Sequence, residues 1–146
     1  MMTGSRSVLM AGTGALLLAL AGMAGPVQAE TLYDQMGGKA GMDRLVDKSV
    51  DNYLADDRIK AIFDESNMER IRAQLKDQFC QIAGGPCLYK GHDMVAAHQG
   101  LHLGNADFNA LVEDLQDAMT AQGIAFATQN KFLALLAPYQ RQVVTK

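Results

Sequence analysis

Apolar residues recur at spacings of three and four along most of the chain after Glu30, which is the pattern of amphipathic helices. One apolar stripe runs from Gly41 to Leu54, and another runs from Met68 to Ile82 behind a cap at Ser66 or Asn67. A short helix over residues 32–36 is expected to stop at the glycine pair that follows it. No alternating pattern of strand length occurs, so the sequence predicts an all-α fold.

The second half of the chain continues this organisation. A short turn of helix is expected around residues 59–63, a short helix over residues 93–99, and a longer helix from Asn105 or Asp107 to Ala121. The last helix should run from about Ala125 to Val144, with a bend or break at Pro138 because proline lacks a backbone donor. These elements predict two substantial helix pairs and one short helix that carries His98.

The first 29 residues have the layout of a cleavable signal peptide. Arg6 is followed by an apolar run from Val8 to Met23, and small residues at Val27 and Ala29 precede Glu30. Cleavage after Ala29 would leave a single domain of residues 30–146 and would place the protein in the periplasm or outside the cell. No membrane span is expected after removal of the signal.

Charge excludes some classes of partner. Arg6 is the one ionisable side chain of the signal segment, so cleavage would change the formal net charge from −3 to −4. The acidic and basic residues are interspersed, and no basic cluster is present. This distribution predicts neither nucleic-acid binding nor attraction to an anionic membrane.

Cys80 and Cys87 are the two cysteines of the chain. In an oxidising compartment they could form a local disulfide across the turn-forming residues 84–86, or they could remain two thiols. With His92 and His98 they also make a Cys/His set that could be interpreted as a zinc site, but their spacing is wider than in common zinc motifs.

His98 is the main candidate for binding a cofactor, since the chain has three histidines. Its neighbours Met94, Val95, Ala97 and Leu101 are apolar, and a neutral imidazole in such surroundings suits an axial ligand of haem iron. The alternative is a histidine whose ring is satisfied by a backbone carbonyl.

Five segments in the same order resemble the truncated haemoglobins, most closely group I. They are Leu32 to Gly38, Leu54 to Ile59 with Phe63, Asn67-Met68, Ala83 to Pro86 with Tyr89 and Gly91, and Met94 to Leu101. The resemblance spans nearly all of residues 30–146 and implies a truncated 2-over-2 globin sandwich that binds haem b. There is no Cys-x-x-Cys-His motif, so covalent attachment of c-type haem is not indicated.

The same resemblance implies roles for individual residues. His98 matches the proximal iron ligand, and Phe63 matches the phenylalanine that packs on the haem face. Tyr89 and His92 belong to the expected cofactor-binding set, with His92 either near a haem propionate or solvated, and His102 is expected to be exposed. The expected distal residues are Val50, Ile71 and Leu75.

The expected distal side departs from the pattern of relatives that hold oxygen tightly. Those relatives place a tyrosine in the second helix and a glutamine in the third, where this chain has Val50 and Leu75. A hydrogen bond to a partly charged ligand is worth about 1–3 kcal/mol. Its loss predicts faster O₂ release and a relative preference for CO or NO, unless Tyr53 or Gln74 turns inward, and a Val50→Tyr variant would test this.

The resulting functional hypothesis is a haem protein that reversibly binds O₂, CO or NO and need not be an enzyme. An alternative is a haem-dependent oxidoreductase that detoxifies NO or reactive oxygen species with the help of a reductase, although no flavin or nucleotide motif is present. A helical interaction module without a cofactor is the third possibility.

Overall fold

The computed structural model describes residue 1 and residues 29–146. Every regular element in this part of the chain is helical, which confirms the all-α prediction. The predicted signal segment lies outside the described residues apart from Met1 and Ala29, so the boundary at Glu30 stays a prediction. The elements are α1 (Leu32–Gln35), α2 (Gly38–Ala55), a 3₁₀ helix (Lys60–Phe63), α3 (Met68–Ile82), α4 (Met94–His98), α5 (Asn105–Ala121), α6 (Phe126–Leu136), a second 3₁₀ helix (Ala137–Tyr139) and α7 (Gln140–Val143).

The junction between α1 and α2 explains why α2 begins three residues earlier than predicted. Gly37 is the N-cap of α2 and has a φ of +89°, a left-handed conformation that glycine adopts readily. The turn brings Gly41 against the carbonyl group of Met36, where a Cβ atom would overlap the oxygen and lie 2.9 Å from the carbon. The glycines therefore start the helix as well as ending the one before it.

The core lies around α2. This helix packs against α3 and α5, and α6 packs against α3 and α5, which gives the two helix pairs expected from the sequence. The rings of Phe79 and Phe132 meet edge to face at 5.1 Å and join α3 to α6. The largest fully buried side chains of the described core are Phe132, Met42, Leu45, Ile59, Leu115, Met119, Val46 and Val50, together with Ser49.

Charged side chains fix α3 against α2. Arg72 donates to the backbone oxygen of Asp47 at 2.8 Å and to Asp51 Oδ1 at 2.6 Å. Lys76 Nζ donates to Asp47 Oδ2 at 3.0 Å. Since both basic side chains are mostly buried, these bonds set the position of the helix that forms one wall of the cavity described below.

The C-terminal segment folds back on the loop that follows α4. The predicted break at Pro138 is confirmed, because α6 ends at Leu136 and the chain continues through a 3₁₀ turn into α7. Helix α7 packs against α4. Beyond it, the Thr145 amide donates to the Leu103 carbonyl at 2.8 Å, and the Leu103 amide donates to Thr145 Oγ1 at 3.0 Å.

Helix caps agree with the sequence in one case and differ in another. Asn67 caps α3 by accepting a hydrogen bond from the Arg70 amide at 2.9 Å. For α5 the prediction of Asn105 or Asp107 as N-cap was wrong, because Gly104 occupies that position. Asp107 stands three residues further on and accepts a bond from the Gly104 amide at 2.8 Å, so it stabilises the start of the helix from inside it. None of the helices described is long and apolar enough to cross a bilayer.

Candidate functional site

A cavity of about 430 Å³ lies between α3 on one side and α4, α5 and the C-terminal segment on the other. This volume is within the usual range for small-molecule and cofactor sites. The lining is largely hydrocarbon, with a few polar side chains. Its apolar residues include Ile71, Leu75, Phe79, Phe108, Leu111, Val112 and Leu115.

His98 lies in the cavity wall at the end of α4. Its Nδ1 atom is 2.8 Å from the backbone oxygen of Met94. Because a carbonyl oxygen only accepts hydrogen bonds, we assign the proton to Nδ1, which leaves the lone pair of Nε2 available. The ring thus has the backbone partner that the sequence analysis raised as an alternative, and the second nitrogen is still able to bind a metal.

Local contacts hold the short helix α4 in place. The Asp93 side chain caps it by accepting a bond from the Ala96 amide at 2.9 Å. Gln78 on α3 donates to Met94 Sδ at 3.1 Å across the cavity wall. These two hydrogen bonds at the start of α4 hold Met94, whose backbone oxygen orients the His98 ring.

The loop before α4 is held by Tyr89. Its hydroxyl donates to the His92 carbonyl at 2.7 Å, and its amide donates to Gln81 Oε1 at 2.7 Å. The tyrosine ring lies directly over Gly91, where a Cβ atom would collide with it. Tyr89 therefore supports the loop that carries His92, and it does not itself line the cavity.

Phe63, at the end of the first 3₁₀ helix, lines the cavity and stacks on Tyr53 of α2. The ring centroids are 6.1 Å apart and the ring planes differ by 8°. Tyr53 is 2% exposed, and its hydroxyl has no hydrogen-bond partner within residues 29–146. Burial raises the pKa of Tyr53 well above its usual value, so this side chain stays neutral. It lies behind Phe63 and outside the cavity wall.

Five of the seven predicted site residues meet in this one cavity: Phe63, Ile71, Leu75, His92 and His98. The structure does not bring in the other two. Val50 is fully buried in the hydrophobic core and does not line the cavity. A tyrosine at Val50 would have to displace core atoms to reach a ligand, which removes the basis for the Val50→Tyr test.

The sequence analysis missed two polar residues of the wall, Gln78 and Arg70, and named Gln74 only as a side chain that could turn inward. Gln74 and Gln78 lie on the same face of α3 as Ile71 and Leu75, at spacings of three and four residues. Arg70 lines the cavity from the first turn of α3, although its place beside the apolar stripe suggested a solvated position. Arg70 and His92 are both exposed and lie at the solvent edge of the wall, where a basic group can meet a carboxylate.

His102 and the two cysteines do not line the cavity. His102 is exposed, does not line the cavity and has a φ of +52°. Cys80 and Cys87 form a disulfide with a Cα–Cα distance of 5.7 Å. Of the alternatives left open by the sequence, the structure therefore has the bridge, and neither sulfur is a thiolate that could bind zinc.

Known proteins are similar to this chain in fold and in sequence. The family described as bacterial-like globin matches residues 31–145. The group 1 truncated hemoglobin of Tetrahymena pyriformis is 30% identical over 117 residues, which cover 80% of this chain and 97% of that protein. Group 1 truncated hemoglobin GlbN of Mycolicibacterium paratuberculosis is 30% identical over 115 residues, covering 79% and 85%. The crystal structure of the Tetrahymena pyriformis truncated hemoglobin in its Fe(III) form matches with a TM-score of 0.77 and covers 80% of this chain and 99% of that one.

The chain therefore belongs to the bacterial-like globin family. Its fold is that of the group I truncated haemoglobins, the 2-over-2 globin sandwich predicted from the sequence. Proteins of this family bind haem b and, through its iron, small gas ligands. The cavity of this chain fits that cofactor, because it combines an apolar slot, an imidazole with an available Nε2 lone pair and basic groups at the edge for the haem carboxylates.

Proposed function

We propose that this protein reversibly binds a diatomic gas (O₂, CO or NO) at haem iron held by His98. The observation that carries the proposal is the hydrogen bond from His98 Nδ1 to the Met94 carbonyl. It selects the tautomer in which Nε2 is a ligand, and it fixes the direction of the ring within the cavity.

Haem supplies an iron with an open coordination position, and the protein controls the surroundings of that position. The Met94 carbonyl polarises the imidazole and makes His98 a stronger ligand. Ile71 and Leu75 exclude water on the α3 side, where an apolar wall favours a neutral gas over water or anions. Arg70 and His92 line the solvent edge of the cavity and would pair with the carboxylates of the cofactor there.

Gln74 is the residue that we propose donates to the bound gas. Its side chain lines the cavity one turn after Ile71 and has no hydrogen bond to another side chain or backbone group of the described chain. Gln78 is less available because its amide is bound to Met94 Sδ. The wall is thus mainly apolar with one amide donor, and the preference for CO or NO expected from an entirely apolar wall is moderated by Gln74.

We also propose that the protein functions in the periplasm or outside the cell. Two observations support this location: the signal-like layout of residues 1–29 and the disulfide between Cys80 and Cys87. A reductase partner and the NO-detoxifying alternative stay predictions, and no contact among the described residues favours them.

The test is hemin titration of the wild type, His98→Gly and His102→Asn, followed by absorption and resonance Raman spectroscopy of the ferrous and CO-bound forms. His98→Gly should bind hemin more than about 100-fold more weakly and lose the iron–histidine stretching band, and added imidazole should restore the band. His102→Asn is the matched control, because asparagine tolerates the left-handed backbone at this exposed position, and it should behave as the wild type. An unchanged spectrum in His98→Gly would refute the assignment.

A further inference from the structure

A second cleft of about 250 Å³ lies on the outer side of α3, and the disulfide forms part of its wall. Tyr33, Met42 and Ala73 line the same cleft, and its charged residues are two lysines and two aspartates: Lys39, Lys76, Asp43 and Asp77. The bridge therefore faces a space that is open to small molecules. It also joins two elements that support the haem site.

The two cysteines differ in exposure. Cys80 is 2% exposed on α3, whereas Cys87 is half-buried in the loop. Gly85 covers the inner side, because a Cβ atom there would lie 2.7 Å from Cys80 Sγ and 2.6 Å from the Tyr33 ring. A thiolate must approach along the S–S axis, so attack from the cleft on Cys87, the more exposed of the two cysteines, is favoured.

The bridge also ties the loop to the end of α3. From Cys87 the chain runs through Tyr89, which holds the His92 carbonyl, to Asp93, which caps α4. Without the bridge the loop is held by the bond from Tyr89 to Gln81 and by the bond from the Gly85 amide to the Cys80 carbonyl at 2.8 Å. A cross-link removes open conformations of the segment it closes, and these conformations would return on its reduction.

We propose that Cys80–Cys87 is a reducible disulfide that a dithiol attacks through the cleft, and that its reduction loosens the loop and helix that position His98. The part that concerns haem rests on the proposed function. In the first step a thiolate bonds to Cys87 Sγ, and the S–S electron pair leaves on Cys80 Sγ, which takes up a proton. The second thiol of the dithiol then displaces Cys87. The dithiol is oxidised to a disulfide by two electrons, and the protein gains two thiols.

The first experiment measures access, with dithiothreitol as the probe. Two thiols per chain should become titratable in the native protein without denaturant. Ala73→Phe, which fills the cleft without replacing either cysteine, should slow this reaction about tenfold by restricting access. Ala106→Phe is the matched control on an exposed position of α5 outside the cleft and should react as the wild type. Reduction that occurs only on unfolding, or equal rates in the three proteins, would overturn the proposal.

The second experiment measures coupling to the site. After reduction, amide hydrogen exchange over residues 88–98 should become about tenfold faster, while exchange within α5 should not change. The Cys80→Ser/Cys87→Ser variant should resemble the reduced protein and should not respond to dithiothreitol. Haem transfer from the loaded protein to apomyoglobin should also accelerate, by about five- to tenfold.

The exchange measurement is made on haem-free as well as haem-loaded protein, which separates this inference from the proposed function. Faster exchange in haem-free protein supports the coupling even if His98 proves not to bind iron. Unchanged exchange over residues 88–98 in both forms overturns the proposed coupling, even if His98 does bind iron.

Discussion

At the scale of a single residue, the proposed function makes the Gln74 amide the polar group that sets gas selectivity. It stands among Ile71 and Leu75 in the cavity wall. We predict that Gln74→Leu releases O₂ about 10- to 100-fold faster, since a hydrogen bond to a partly charged acceptor is worth about 1.5–3 kcal/mol. CO release should change little, because CO is a weak acceptor.

Stopped-flow ligand replacement on the ferrous protein measures both rates. Gln99→Leu removes a comparable amide from an exposed position outside the cavity and serves as the control. Equal O₂ release from wild type and Gln74→Leu would show that the amide does not reach the ligand.

Asp114 is a residue whose charge opposes folding. Its side chain is buried, its Oδ2 atom has no hydrogen-bond partner within the described chain, and burial followed by the nearby Asp56 raises its pKa. A carboxyl group with a raised pKa destabilises the folded state above that pKa, and this penalty disappears as the pH falls below the unfolded value of 3.8. The pKa of Asp56 is shifted in the opposite direction, because hydrogen bonds from Arg58 lower it.

We therefore predict that Asp114→Asn is more stable than the wild type at pH 7 and that this advantage shrinks as the pH approaches 3.8. Urea unfolding between pH 3 and pH 8 measures the difference. The exposed Glu65→Gln is the control, because Glu65 is not one of the charges that raise the pKa of Asp114, and it should show almost no difference. A pH-independent effect of Asp114→Asn would contradict the charge argument.

At the scale of elements, the α1–α2 junction depends on one missing side chain. Gly41 lies against the carbonyl of Met36, and backbone atoms cannot move aside as a flexible side chain can. We predict that Gly41→Ala lowers the free energy of unfolding by about 2–3 kcal/mol. Gly104→Ala is the control, because a Cβ there meets its nearest atoms at 3.7 Å or more. Urea unfolding of both variants measures the difference, and equal stabilities would contradict it.

The Arg72 contacts between α2 and α3 provide a second prediction at this scale. Replacement by methionine keeps the apolar stem but removes the bonds to Asp47 and Asp51. We expect Arg72→Met to lose about 1–2 kcal/mol, more than an exposed ion pair, because three-quarters of the side chain is buried. Lys48→Met, an exposed cation of α2 without an ion pair in the described chain, should change stability by less than about 0.5 kcal/mol in the same denaturation experiment.

Most helices could be predicted from the sequence because they are amphipathic. The limits of α3 matched, since Asn67 and the apolar stripe define both ends locally. The start of α2 and the cap of α5 did not match, because they depend on backbone turns at Gly37 and Gly104 that the apolar pattern does not define. In the site, Ile71, Leu75 and His98 followed from pattern and resemblance. The orientation of Val50 into the core and of Gln74 into the cavity depends on the rotation of each helix, which spacing alone does not determine.

At the scale of the whole molecule, the cavity makes stability depend on its occupant. Hemin at 100 times its dissociation constant should stabilise the fold by about 2.7 kcal/mol. For a domain of this size that corresponds to a rise in Tm of about 10 °C. Removal of hemin should reverse the rise.

Protoporphyrin IX without iron is the matched control ligand, because it fills the same space but cannot bond to His98. Thermal unfolding followed by circular dichroism should show a smaller rise in Tm for protoporphyrin than for hemin. Equal rises would mean that filling the cavity stabilises the protein and that the iron–imidazole bond adds nothing.

The position of Thr145 beside Leu103 has a consequence for biosynthesis. Tyr139 and Val143 line the cavity, and Thr145 fixes the backbone of Leu103 in its wall, so the site is completed by residues that follow all its other parts in the chain. These residues emerge from the ribosome after every other part of the wall. The helices can therefore begin to assemble during translation, but the pocket closes only once this segment has emerged and Thr145 has reached Leu103.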